Sequence, residues 1–201
     1  MKNDFIGNFK NIEKKIVKSI KNNNWEFLIN ELPNESILVG GYIRDLLLEN
    51  GNQLFDIDLV VPQNALDICQ KISKKFNCKF VVLDENRNVG RIIFKKFVID
   101  IASRVGETII QDLESRDFTI NSIGFHLHQR KIIDPLNGLI DINCMKLNCP
   151  NTNNLISDPL RILRFFRFYS EYNFEFELSL LEFIRKNKQL LREVAKERII
   201  Y

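Results

Sequence analysis

Val39-Gly40-Gly41-Tyr42-Ile43-Arg44-Asp45, followed at short range by Phe55-Asp56-Ile57-Asp58-Leu59-Val60-Val61, decides how this chain is read. Ile37 to Val39 form a short apolar run, Gly40-Gly41 interrupts it, and Tyr42 to Leu48 carry apolar residues at helical spacing. That order predicts strand, glycine turn and helix. A glycine pair there leaves backbone N–H groups open to an anion, and Arg44, about one turn into the helix, can add a bidentate contact to phosphate. The second stretch predicts a strand over 55–61. Its side chains alternate, so Asp56 and Asp58 share one face while Ile57 and Leu59 enter a core. Two carboxylates side by side repel unless cations sit between them, and hard oxygen donors of this kind suit Mg²⁺, which takes one or two carboxylates together with substrate phosphates. Two such ions about 3.5–4 Å apart can activate a hydroxyl and stabilise a leaving pyrophosphate.

Taken singly, each feature has an ordinary structural reading. Gly-Gly before a helix is a turn, and Asp near a strand end is common turn chemistry. Their combination in one short stretch, in this order, is what points to nucleotide chemistry.

Two further segments belong with them. Arg116-Asp117-Phe118-Thr119-Ile120-Asn121 places an Arg-Asp pair before apolar residues, which by itself reads equally as a surface ion pair. Asp158-Pro159-Leu160-Arg161-Ile162-Leu163-Arg164-Phe165-Phe166-Arg167-Phe168 opens with a helix-start signal, a capping residue followed by proline. Arg161, Arg164 and Arg167 recur every third residue and line one helix face, and the intervening Ile, Leu and Phe supply packing. Without the other segments this is a solvated basic stripe. With them, Asp158 offers acceptors and Arg161 forked donors to a base edge, and Arg164 and Arg167 can engage a triphosphate.

In that order these motifs resemble the class II tRNA nucleotidyltransferase (CCA-adding) and bacterial poly(A) polymerase family, over residues 37 to 170. The resemblance implies a polymerase-β-like α/β (α+β) head, with a mixed sheet and flanking helices, followed by an all-helical neck. It implies domains at 1–33 (helical lead-in), 34–145 (catalytic head) and 146–201 (neck, ending before an RNA-holding body and tail). Asp56 and Asp58 would hold two Mg²⁺ ions, with Asp100 as a third catalytic carboxylate. Gly40, Gly41, Arg44, Arg116, Asp117, Asn121, Asp158, Arg161, Arg164 and Arg167 would bind the nucleotide. The implied reaction adds CMP or AMP from CTP or ATP to an RNA 3′ end, with the tRNA CCA end as leading substrate. Ser157 stands where many members have Glu, Ser115 where a second Arg is common, and the segment between Asp100 and Arg116 is short. CCA, CC-only, A-only and poly(A) addition therefore all stay open. So does a non-catalytic nucleotide- or RNA-binding role, inactive without the body domain; the chain is read either as a head-and-neck fragment or as one whose RNA is held by another subunit.

Asp100 lies inside the apolar run Phe97 to Ala102, where a carboxylate is costly to bury unless paired or metal-bound. Arg104 is the near partner in sequence. Composition sets the outer bounds: 201 residues with 45% hydrophobic content can bury one sizeable core, and a net charge of +3 is compatible with RNA without requiring it. Cys69, Cys78, Cys144 and Cys149 have no C-x-x-C spacing, so reduced thiols are expected. His126 and His128 read as residues of one strand. No apolar run has the length of a membrane span and no leader is evident at Met1, so a cytoplasmic protein without membrane partners is expected; the oligomeric state stays open.

Strands are predicted near Ile37, Leu59, Phe80, Ile92, Val98 and Ile123. Helices are predicted over Phe9 to Leu32 with a break at Asn22 to Asn24, near Ile43, over Ala65 to Lys75, at Phe118 to Ser122, from Asp158 and over Leu178 to Ile200. Ile132 to Gly138 is read as a turn closing the head.

Overall fold

The computed structural model describes residues 9–48 and 56–194. Phe55, the N-terminal part of the lead-in and the end of the last predicted helix lie outside the described residues. Strands β1 (Ile37–Val39), β2 (Asp56–Val61), β3 (Lys79–Asp84), β4 (Val89–Ile93), β5 (Val98–Ser103), β6 (Gly124–His126) and β7 (Lys131–Ile133) form one sheet in the order β3-β4-β5-β2-β1-β6-β7. Only β2 and β5 run parallel, and every other neighbouring pair is antiparallel. This is the mixed sheet that the resemblance implies.

The sheet's two faces differ. Ile57, Leu59 and Val61 of β2 join Leu38, Ile99, Ile101 and Phe125 in the main core. Helix α1 (Phe9–Asn22) lays Ile12, Ile16 and Ile20 into that core, and α3 (Ala65–Phe76) adds Ala65, Cys69 and Ile72. The spacing of these residues gives each helix one apolar stripe, which is why it packs here. Ile37, Val39 and Val60 face the other way and meet Leu113 of α4 (Ile109–Glu114) in a smaller apolar cluster. Asp58 is opposite Val39 on one side and Asp100 on the other, so both acids stand on this second face.

Helix α2 (Gly41–Leu47) follows β1 directly. After α4 come a single 3-10 turn at Thr119–Asn121 and α5 (Gly138–Asn143), then α6 (Asn153–Ser157), α7 (Leu160–Tyr172) and α8 (Leu178–Lys186). Ile162, Phe165 and Phe168 bury one stripe of α7 in the main core.

Four expectations change. Phe118 to Ser122 makes one 3-10 turn. Ile132 and Ile133, read as the start of a closing turn, belong to strand β7, which pairs with β6; three residues are too short for alternation to show. The strand containing His126 ends there, so His128 does not share it. The final helical pattern breaks at Asn187 into α8 and a 3-10 turn at Lys188–Glu193. All four cysteines are free, and no helix among the described residues is long and apolar enough to cross a membrane.

Candidate active site

Gly40 sets the geometry of the rim. Its φ of +74° lies in the region that glycine enters without penalty, and a Cβ there would come within 2.8 Å of Asp58 Oδ2. The turn therefore lets backbone approach the carboxylate where no side chain fits. Asp56 is exposed and Asp58 partly buried. Burial pushes the Asp58 carboxyl above the usual carboxylate range, Arg116 opposes that, Asp100 and Asp56 reinforce it, and Arg164 opposes it again. Asp58 thus has two acids beside it on the sheet and two guanidiniums near it from α4's end and α7. The arrangement is an acidic pole facing a basic pole.

Asp100, in register with Asp58, accepts a forked pair of bonds from Arg91 of β4, Nε at 2.7 Å and Nη2 at 2.8 Å. The partner is not Arg104, whose guanidinium lies 3.5 Å from Glu35. The cross-strand register places Arg91 directly opposite Asp100, a relation that sequence distance hides. Among the described residues no group of three or more His, Cys, Asp or Glu side chains gathers as a metal site. A donor set of two carboxylates with like charge beside them fits Mg²⁺, which completes its octahedron with phosphate and water.

Arg116, just past the end of α4, leans on Asp112 four residues back, with Nη2 to Oδ2 at 3.0 Å. Asp112 is nearly buried, and its other oxygen accepts the Val105 N–H at 2.9 Å. Asp117 does not pair with Arg116; its Oδ2 lies 2.9 Å from Arg164 Nε, and its Oδ1 accepts the Phe118 N–H. Asn121 donates to Asp117 Oδ1 at 3.0 Å and accepts from Arg44 Nη1 at 2.6 Å.

Arg44 itself is only 6% exposed. Its Nε and Nη2 donate to Asp45 at 2.8 and 3.0 Å, and its guanidinium packs 4.8 Å from the centre of the Phe168 ring. The predicted phosphate ligand is thus committed to protein partners.

The three arginines of α7 part company. Arg161 Nη1 donates to the Ser115 and Asn154 carbonyls at 2.8 and 3.1 Å, Arg164 meets Asp117, and Arg167 lies 4.9 Å from the Phe168 ring centre. Burial lowers the pKa of both Arg161 and Arg167. Asp158 has an extended backbone at the end of α6, and its carbonyl accepts the Arg161 N–H at 2.9 Å, so Asp158 and Arg161 start α7 together.

The sequence reading missed Arg91, Asp112, Asp45 and Tyr172. Of these Asp45 stood beside Arg44 in the opening motif, and Asp112 lies four positions before Arg116, although the helix ends at Glu114.

A mixed sheet that presents Asp58 between Asp56 and Asp100 beside a glycine turn, opposed by Arg116 just after α4 and by Arg164 of α7, is the frame of this site. Residues 36–148 match the model of the Poly A polymerase head domain, more than half of the chain, and the chain belongs to that family. A CC-adding tRNA nucleotidyltransferase of Synechocystis sp. is 36% identical over 168 residues, covering 84% of this chain and 40% of that protein. An A-adding tRNA nucleotidyltransferase of Halalkalibacterium halodurans is 28% identical, covering 82% of this chain and 43% of its own length. The solved Thermotoga maritima CCA-adding enzyme complexed with tRNA-CCA matches 94% of this chain and 48% of its own, at 28% identity and a TM-score of 0.74. The chain therefore spans less than half the length of these relatives.

Proposed function

We propose that this chain carries the catalytic site of a template-independent RNA nucleotidyltransferase that adds CMP or AMP from CTP or ATP to a tRNA 3′ end. The observation that carries this reading is the opposition of Asp58, flanked by Asp56 and Asp100, to Arg116 and Arg164. A triphosphate needs cations along its length, and its reacting end needs carboxylates that can hold a metal. Kinship to CC-adding and A-adding proteins supports the substrate class.

Asp56 and Asp58 would hold Mg²⁺, which when bound supplies Lewis-acid activation of the 3′-hydroxyl and neutralises the pyrophosphate. Gly40 brings backbone to Asp58 without a side chain in the way, and Gly40 and Gly41 would offer backbone N–H groups to phosphate. Arg116, steadied by Asp112, and Arg164 take up phosphate charge. Asp117 and Asn121 would meet the nucleotide beside them, and Arg167 would add charge farther along α7. Asp158 and Arg161, joined at the first turn of α7, would read a base edge. Asp100, held by Arg91, is the third acid of the site and tunes the field at Asp58. In this reading residues 34–145 are the head and 146–201 the start of the neck.

The test is addition to tRNA ending before CCA, after one C, or after CC, with CTP, ATP or both. Product lengths assign the activity, and a protein that binds CTP or ATP yet extends none of the three acceptors contradicts the reading.

A further inference from the structure

A closed circuit of polar contacts leaves α7 and returns to it. Tyr172, at the end of that helix, donates its hydroxyl to Asp45 Oδ1 at 3.0 Å. Asp45 grips Arg44 through both Nε and Nη2. Arg44 passes to Asn121, Asn121 to Asp117, and Asp117 lies against Arg164, two turns back along α7. Arg44, Asp117 and Asn121 are at most 6% exposed. Above the circuit, the Arg44 guanidinium lies 4.8 and 5.5 Å from the ring centres of Phe168 and Tyr172. The links therefore come from α2, which follows the glycine turn, from the 119–121 turn and from α7.

We propose that Tyr172 and Asp45 are positioning residues: with Arg44 they latch the far end of α7 to the helix that follows the Gly40–Gly41 turn, and so fix the angle at which α7 presents its arginines to the nucleotide. The proposal rests on the functional reading above and deepens it by naming what sets nucleotide selectivity. A largely buried network stiffens both elements it joins, because breaking one link leaves polar groups unpaired in a low dielectric; its last link, Asp117 to Arg164, is an ion pair without a hydrogen bond. Ile162, Phe165 and Phe168 hold α7 by packing, but apolar packing alone permits small rotations about the helix axis. The Tyr172 hydroxyl removes that freedom at the helix end, while the Asp117–Arg164 contact removes it near the start.

Tyr172→Phe deletes the hydroxyl and keeps the ring; Asp45→Asn removes the charge that Arg44 and Tyr172 share. In the nucleotide-free protein, amide hydrogen exchange over 168–172 and over α2 becomes about fivefold faster in each variant, while α3 exchanges as before. In a separate titration with Mg²⁺, the ratio of CTP to ATP affinities shifts by about threefold or more. A role in packing alone would leave that ratio unmoved in Tyr172→Phe and lower both affinities together only in Tyr172→Leu. Unchanged exchange in both variants overturns the latch whatever the nucleotides do. Faster exchange with an unchanged affinity ratio overturns its part in selectivity. Failure of the unaltered chain to bind either nucleotide counts against the functional reading, and the latch is then decided by exchange alone.

Discussion

Gly40 and Asp58 approach so closely that a Cβ on the glycine would lie 2.8 Å from Asp58 Oδ2. The glycine also holds φ at +74°. Gly40→Ala therefore meets two obstacles, backbone strain and displacement of the carboxylate. Strain of this kind costs about 1–3 kcal/mol, and a carboxylate moved by about 1 Å lowers turnover about 100-fold. Gly41 lies outside the positive-φ region, and a Cβ there would meet the Arg44 guanidinium at 3.2 Å instead of a carboxylate at 2.8 Å, so Gly41→Ala is the milder change. Thermal melting and tRNA extension by the two variants check this; equal behaviour would remove the close approach from the account.

Burial, reinforced by Asp100 and Asp56, raises the Asp58 pKa above its unfolded value. A raised carboxyl contributes stability that is fully present below the unfolded pKa and is lost as pH rises through the folded one. At pH 7 without metal, ionised Asp58 thus burdens the fold. Asp58→Asn should melt higher than the parent at pH 7 in EDTA, with the gap closing toward pH 4. Adding Mg²⁺ should raise the parent's melting point more than the variant's. A variant that melts lower at pH 7 in EDTA would contradict this electrostatic reading.

Arg91 is the counter-cation of the acidic face through its fork on Asp100. Its side chain is 42% exposed, so solvent screens the pair and Arg91→Gln should cost about 1 kcal/mol in metal-free buffer. The loss arises because Asp100 then lacks its forked partner and Asp56 and Asp58 lose one of the cations near them. Millimolar Mg²⁺ should recover it, which melting curves with and without the ion will show. A loss that Mg²⁺ leaves untouched would assign Arg91 to strand packing instead.

Arg44 separates two roles that sequence alone merges. As a phosphate ligand it would matter to nucleotide affinity and little to folding. Its burial and its bonds to Asp45 and Asn121 make it structural, and removing one partner of a buried pair costs about 3 kcal/mol or more. Arg44→Ala should lose that amount in urea unfolding. A variant of parental stability with weakened CTP binding would restore the phosphate assignment.

The order of strand, glycine turn, helix and Asp-x-Asp strand was legible because each step depends on local periodicity: Ile57 and Leu59 alternate with Asp56 and Asp58, and Gly40 breaks the run before Tyr42. The helix after Pro159 was legible for the same reason. What stayed hidden depends on register between distant segments. Arg91 meets Asp100 only because β4 and β5 pair as they do, and Tyr172 meets Asp45 across 127 positions of sequence. Arg44 has the spacing from the glycines that suits a phosphate, while its aromatic cover from Phe168, which comes from α7, was not legible. Short elements were missed too: β7 has three residues, fewer than periodicity needs.

The most direct test of the central claim is extension of labelled tRNA lacking its terminal nucleotides, with CTP and ATP over a Mg²⁺ titration, by the parent, Asp56→Ala and Asp58→Ala. The account predicts Mg²⁺-dependent addition of one to three nucleotides by the parent and a loss of about 1,000-fold or more in each variant, the scale of removing a principal electrostatic contributor. Extension that persists in either variant at the parental rate would contradict the assignment of the two aspartates.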